Sequence, residues 1–139
     1  MVKILVVDDV PEHRHQLVNA IRESGREVQA AASRAEGEDR IEHEDFDVVV
    51  TDLRMEDKRD GLAVLKAARR KDPTTQVIFV SQYGTPELSA EVMRSGAIDF
   101  LERNPSAIDF WTMLDCKVKL AIEFRRLLKA RPKRRGRTA

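Results

Sequence analysis

Five short apolar runs divide the chain: VKILVV at 2–7, EVQAAA at 27–32, FDVVVT at 46–51, QVIFVS at 76–81 and AIDFL at 97–101. Each has strand length. Their apolar residues are nearly continuous, which suits parallel strands covered on both faces better than strands alternating between core and water. Segments of helical length follow at 12–24, 34–43, 61–71, 86–95 and 106–130. The boundaries carry start and stop signals. Ser33 with Glu36 makes a capping box, Thr85-Pro86 and Asn104-Pro105 put proline in a first turn, Gly25 and Gly96 follow helices, and Pro73 closes the third helix. Strand and helix alternating five times over short connections require right-handed crossovers. This predicts an α/β fold, a doubly wound five-stranded parallel sheet.

In such a sheet, ligands sit beyond the carboxyl ends of the strands, where the strand order reverses. The residues standing there are Asp8 and Asp9 after the first strand, Asp52 after the third, Ser81 at the end of the fourth, and Glu102 with Arg103 after the fifth. Three carboxylates brought together raise one another's pKa, and a divalent cation removes that penalty. Mg²⁺ suits the set, because it takes oxygen ligands and one or two carboxylates beside phosphate oxygens. Aspartate after a strand is also a common helix cap, so Asp8-Asp9 alone decides little. Asp52, Ser81 and Arg103 at matching strand ends turn the reading toward a metal and a phosphoryl group.

With these residues in place, the chain resembles the response-regulator receiver domain of two-component signalling. The resemblance runs from about Met1 to Val118 and rests on VVDD, VVVTDLRM, FVSQYG and GAIDFLERNP, in order and at matching spacing. It implies a flavodoxin-like (βα)5 fold. It makes Asp52 the phosphoacceptor, with Asp9, Asp52 and the backbone carbonyl of Arg54 as Mg²⁺ ligands and Asp8 reaching the ion through water. Ser81 would hydrogen-bond the phosphoryl group, Arg103 would supply positive charge to it, and Phe100 would be the switch aromatic. The implied phosphodonor is a sensor histidine kinase or a phosphotransfer protein. The implied activity is a signalling switch that catalyses only its own phosphorylation and dephosphorylation, not an enzyme acting on other substrates.

The sequence departs from the family pattern in three places. The usual lysine after the fifth strand is Arg103, a planar fork in place of a compact ammonium. The loop LRMEDKRDG has Glu56 where proline commonly follows the methionine, and it runs one residue longer before Gly61. Arg54 and Tyr83 match positions that modulate dephosphorylation. Both are large, which predicts restricted water access and a long-lived phosphoryl group.

The last helical segment, 106–130, gives roughly seven turns at 3.6 residues each. Two apolar rows run along it: Trp111, Leu114, Val118 and Ala121 with Leu128, and Phe110, Met113, Leu120, Phe124 and Leu127. One row can face the sheet; the other, beyond Val118, wants a second partner. A homodimer through this helix is expected, with Phe110, Trp111, Met113, Leu120, Phe124 and Leu127 in the contact. The organisation read from sequence is therefore a receiver body at 1–118, a helical extension at 119–130 and a basic, disordered tail at 131–139.

Eight of the 25 Lys and Arg residues lie from Arg125 onward with no acid among them, leaving 17 basic groups against 24 acids in the body. The terminal KARPKRRGRTA would hold nucleic-acid phosphates only nonspecifically, having no aromatic and no helix-turn-helix; a solvated end or linker is the favoured reading. No apolar run reaches the length of a membrane span, the charged start is no signal peptide, and Cys116 stands alone, so a cytoplasmic protein without disulfides is expected. Cys116 is read as packing within the helix, and His13, His15 and His43 are given no metal or catalytic role. The alternative from another class is a receiver-like interaction module that phosphorylation does not regulate. A phosphatase acting through a nucleophilic aspartate is weaker, because it would want an acid where Arg54 stands.

Overall fold

The computed structural model describes residues 1–82 and 84–131. Its elements alternate throughout: β1 Val2–Val7, α1 Pro11–Ile21, β2 Arg26–Ala31, α2 Arg34–His43, β3 Val48–Thr51, α3 Asp60–Lys71, β4 Gln76–Ser81, α4 Pro86–Arg94, β5 Asp99–Glu102 and α5 Ile108–Ala130. The strands form one parallel sheet in the order β2-β1-β3-β4-β5, the flavodoxin-like arrangement with its reversal between β1 and β3.

The period of two along each strand splits the core into two layers. Leu5, Val7, Val49, Val77 and Phe79 point to one face, where Ile41 of α2, Leu62 and Leu65 of α3 and Val92 of α4 cover them. Ile4, Val6, Val48, Val50, Ile78 and Val80 point to the other, under Leu17 and Ile21 of α1 and Phe110, Leu114, Val118 and Ala121 of α5. Both faces are buried, which accounts for the unbroken apolar runs of β1, β3 and β4.

Most predicted boundaries stand within two residues. The α1 helix stops at Ile21 rather than at residue 24, because Arg22 turns to extended backbone. Ser33 Oγ accepts from the Glu36 N–H at 3.1 Å, but the Glu36 carboxylate reaches back to the Ala32 N–H at 3.2 Å, one residue before the expected partner. Thr85 caps α4 through the Leu88 N–H. Asn104-Pro105 does not open α5. It forms a turn closed by the Ala107 N–H on the Asn104 carbonyl, and the Pro105 carbonyl accepts the Trp111 indole N–H at 3.0 Å, so the helix begins at Ile108.

The sorting of residues on α5 corrects the expected dimer face. Phe110 is 5% exposed and belongs to the core, edge-to-face with Trp111 at 4.8 Å between ring centroids. Trp111 packs against the same core, half-buried. Met113, Leu120, Phe124 and Leu127 point outward, 42–55% exposed. Cys116 lies on that outward face between Met113 and Leu120 and is exposed, not packed. Packing also continues past Val118: Ala121 is fully buried and Arg125 is 5% exposed. Arg125 is thus no part of a solvated tail. It reaches Asp47, just before β3, and Asp72, just before β4 at 2.8 Å, tying the extended helix to the amino edge of the sheet. Residues 132–139, which carry most of the basic tail, lie outside the described residues.

Candidate acidic site at the carboxyl edge of the sheet

Strand register builds the site. Val7 pairs with Thr51, and the Asp52 N–H bonds the Val7 carbonyl at 3.0 Å, so Asp8 and Asp52 leave the sheet at the same level. The Arg103 N–H bonds the Ser81 carbonyl at 2.9 Å and brings the end of β5 to the same edge. Carboxylate oxygens of Asp8, Asp9 and Asp52 all lie within 4.8 Å of one another. Asp8 is 1% exposed and Asp52 7%, while Asp9 is half-buried. The three acids, Ser81 and Arg103 therefore meet where the strand ends predicted.

Local hydrogen bonds fix each carboxylate. Asp8 accepts the Val10 N–H at 2.9 Å, and its carbonyl accepts from Arg14 at 2.8 Å. Asp52 accepts the Arg54 N–H at 3.3 Å, the Leu53 N–H and the Ser81 hydroxyl. The loop after Asp52 holds itself without the family's proline. Asp57 donates its N–H to Asp60 at 2.9 Å, its carbonyl takes the Met55 N–H at 3.2 Å, and the Gly61 N–H closes onto Leu53 at 2.9 Å. Gly61 presses so closely on the strand end that a Cβ there would stand 2.2 Å from the Asp52 carbonyl oxygen.

Burial raises the Asp8 carboxyl, against the pull of the Val10 N–H and Arg103. Burial and the Asp8 charge raise Asp52 to about 6, although Ser81, Arg54 and Leu53 all hydrogen-bond it. These are hard oxygen donors whose mutual repulsion a divalent cation would relieve, so the set fits Mg²⁺. Burial also lowers the Arg103 guanidinium, opposed by the charges of Asp8 and Asp52. A cleft of about 320 Å³ opens over the site, lined by Asp9, His13, Asp52, Arg54 and Arg103 among others.

Two residues at this cleft escaped the sequence reading. His13 lines it, its imidazole lowered by burial and by Arg103. Gln16 accepts a hydrogen bond from Arg103. Both stand on α1, four and seven residues after Asp9, so helical spacing alone puts them on one face beneath the acidic pair. His15, by contrast, is exposed, as its two-residue offset from His13 predicts.

Phe100 is half-buried, stacked on Phe79 at 6.1 Å and packed against the core. Its ring lies against the loop before α4, where a Cβ on Gly84 would meet it at 2.6 Å. Tyr83, expected to modulate dephosphorylation, lies outside the described residues.

A sequence model described as the response regulator receiver domain matches residues 4–114. The transcriptional regulatory protein ZraR of Escherichia coli (strain K12) is 33% identical over 100 residues, covering 72% of this chain and 22% of ZraR. The C4-dicarboxylate transport transcriptional regulatory protein DctD of Pseudomonas aeruginosa is 35% identical over 127 residues, covering 91% of this chain and 26% of DctD. The chain thus spans about a quarter of the length of these curated relatives. Among solved structures, the CheY-like response regulator receiver domain protein from Methanospirillum hungatei JF-1 superposes with a TM-score of 0.80 at 25% identity, covering 91% of this chain and 97% of that one. The receiver domain protein from Clostridium thermocellum gives 0.79 at 28%, covering 92% and 99%. Among the described residues, no helix is long and apolar enough to cross a membrane.

Proposed function

This chain belongs to the response regulator receiver domain family, and from that premise we propose that it accepts a phosphoryl group on Asp52 from a histidine kinase or a phosphotransfer protein. The observation that carries the reading is the placement of Asp52: 7% exposed, within 4.8 Å of two further acids, hydrogen-bonded by Ser81, and opening on a cleft that Arg103 also lines. An Asp52 carboxylate oxygen attacks the phosphorus in line. The phosphorus–nitrogen bond of a phosphohistidine breaks, the imidazole keeps the electron pair and picks up a proton, and an aspartyl phosphate forms. Mg²⁺ held by Asp9, Asp52 and the Arg54 carbonyl, with Asp8 through water, would neutralise charge on the phosphoryl oxygens. Arg103 adds a fixed cation at the cleft wall.

Once Asp52 is phosphorylated, the Ser81 hydroxyl loses its carboxylate partner and turns to a phosphoryl oxygen. The loop between β4 and α4 then tightens, and Phe100, already pressed on Gly84, is the neighbouring group that must repack. Arg54, which lines the cleft, shields the acyl phosphate from water and lengthens its life. The chain acts on no substrate beyond its own aspartate. Met113, Leu120, Phe124 and Leu127 receive a second copy of the chain, which supports a dimer that phosphorylation tunes through β5 and α5.

The test is intact mass after incubation with Mg²⁺ and acetyl phosphate, with Asp52→Asn in parallel. One phosphoryl group gained by the wild type and none by the variant is the expected result. No gain under conditions that label another receiver would overturn the phosphoacceptor reading in favour of an unregulated interaction module, the alternative that Arg103 and the altered loop motivate.

A further inference from the structure

Arg103 is 6% exposed, yet the described residues satisfy only one corner of its guanidinium. Its Nη2 donates to the Gln16 side-chain oxygen on α1, while the buried Nε and Nη1 find no partner. Buried donors are ordinarily paired, and an unpaired set beside a cleft marks a place completed by something that enters it. The missing partner must be an acceptor. Asp52 and Asp8 already act on Arg103 electrostatically from the same cleft. An acceptor arriving on Asp52 itself is the phosphoryl group.

Resting on the phosphoacceptor reading, we propose that Gln16 is a positioning residue for phosphoryl transfer: it anchors one nitrogen of Arg103 and so presents the rest of the guanidinium to the phosphoryl oxygens on Asp52. The side chain at 103 explains why an anchor on α1 is useful. An ammonium carries its donors on a single atom, whereas a guanidinium spreads five over three nitrogens, so one can be tethered while others stay free. A long side chain without a tether would also spread over several rotamers, and a cation that is not held in place contributes less to a transition state than a fixed one. Gln16 suits the task because its amide is neutral. A carboxylate at that position would neutralise Arg103 and oppose the anion the site has to bind.

The rate of labelling by acetyl phosphate with saturating Mg²⁺ is compared for wild type, Gln16→Met, Arg103→Lys and the double variant, with Gln16→Ala as a second removal of the acceptor. Melting midpoints and Mg²⁺ affinity are measured alongside. In the arginine background, loss of the Gln16 oxygen is expected to slow labelling about tenfold, the scale of one charge-assisted hydrogen bond misplaced, with Mg²⁺ affinity unchanged. In the Arg103→Lys background, the same change should alter the rate less than about twofold, because the tether has nothing left to orient. Labelling of Gln16→Met and Gln16→Ala at the wild-type rate would overturn the proposal, as would an equal penalty in both backgrounds. A wild type that takes no phosphoryl group at all is a different failure. It removes the phosphoacceptor reading, and this proposal falls with it.

Discussion

Asp52 is the residue where burial and function conflict most directly. Its carboxyl is raised from 3.8 to about 6 by burial first and then by Asp8. The unfolded chain therefore ionises at lower pH than the fold does, and the folded state loses stability as pH rises from about 4 through 6. Asp52→Asn removes the charge and keeps the shape. In the absence of divalent cations it should stabilise the fold at neutral pH by about 2–3 kcal/mol, taking 1.36 kcal/mol per pKa unit, and the gain should vanish near about pH 4. Urea unfolding of the two proteins in chelator, at neutral and acid pH, measures both; equal stability at neutral pH would contradict the assignment. Gly61 is the second sensitive position. A methyl group there meets the Asp52 carbonyl oxygen at 2.2 Å and the Leu53 Cα at 2.6 Å, both backbone. Gly61→Ala should cost about 1–3 kcal/mol, as overpacking does, and slow the labelling of Asp52 by shifting its strand end. Sequence alone reached Asp8, Asp9, Asp52, Ser81 and Arg103, because each follows a strand whose apolar run makes its end visible. His13 and Gln16 were harder to see: a helix face says which residues lie together, not that Arg103, 87 residues away, will be laid against them.

At the scale of the element, α5 shows what periodicity can and cannot decide. The helix and its length were legible. Which row would be buried was not, since Phe110 and Met113 share one apolar row and only the packing of Phe110 into the sheet core separates them. Arg125 was less legible still. In a run of basic residues it looks solvated, and only the placement of Asp47 and Asp72 before two adjacent strands makes it a buried cross-link. The outward row then stands alone: Leu120 is 55% exposed, Phe124 47% and Leu127 53%, at the four- and three-residue spacing of a helix seam. Leu120→Glu with Phe124→Glu should leave the melting midpoint within a few degrees while converting a dimer to a monomer by light scattering. An unchanged mass would remove the dimer from the proposed function. Arg125→Met tests the inner attachment. It keeps the apolar stem but strands Asp47 and Asp72, which are partly exposed and can rehydrate, so the expected loss is about 1–2 kcal/mol rather than the larger cost of breaking a fully buried pair.

Across the whole molecule, the two edges of one sheet carry opposite linkages to protons. At the carboxyl edge, Asp52 stands at about 6, raised chiefly by burial, and burial raises Asp8 as well, so ionising them opposes folding. At the amino edge, burial alone would raise Asp72, but hydrogen bonds from Thr74 and Arg125 outweigh it and bring the carboxyl to about 2. A depressed carboxylate contributes stability above its unfolded value of 3.8, and that contribution is lost as pH falls from about 4 to 2. Acidification from neutral pH thus first strengthens the metal-free fold through the carboxyl edge, then weakens it through the amino edge. Stability without a divalent cation should peak near about pH 4, where the two windows meet. Bound Mg²⁺ reverses the first trend, because protons and the cation compete for the same carboxylates and binding stabilises more as pH rises. The expected outcome is a melting midpoint that peaks on the acid side in chelator and moves to neutral pH in millimolar Mg²⁺. Asp52→Asn should show a smaller metal-dependent displacement, and Arg125→Met should lose part of the fall below about pH 4. A midpoint profile that Mg²⁺ leaves unmoved would mean that the acidic edge is not a cation site.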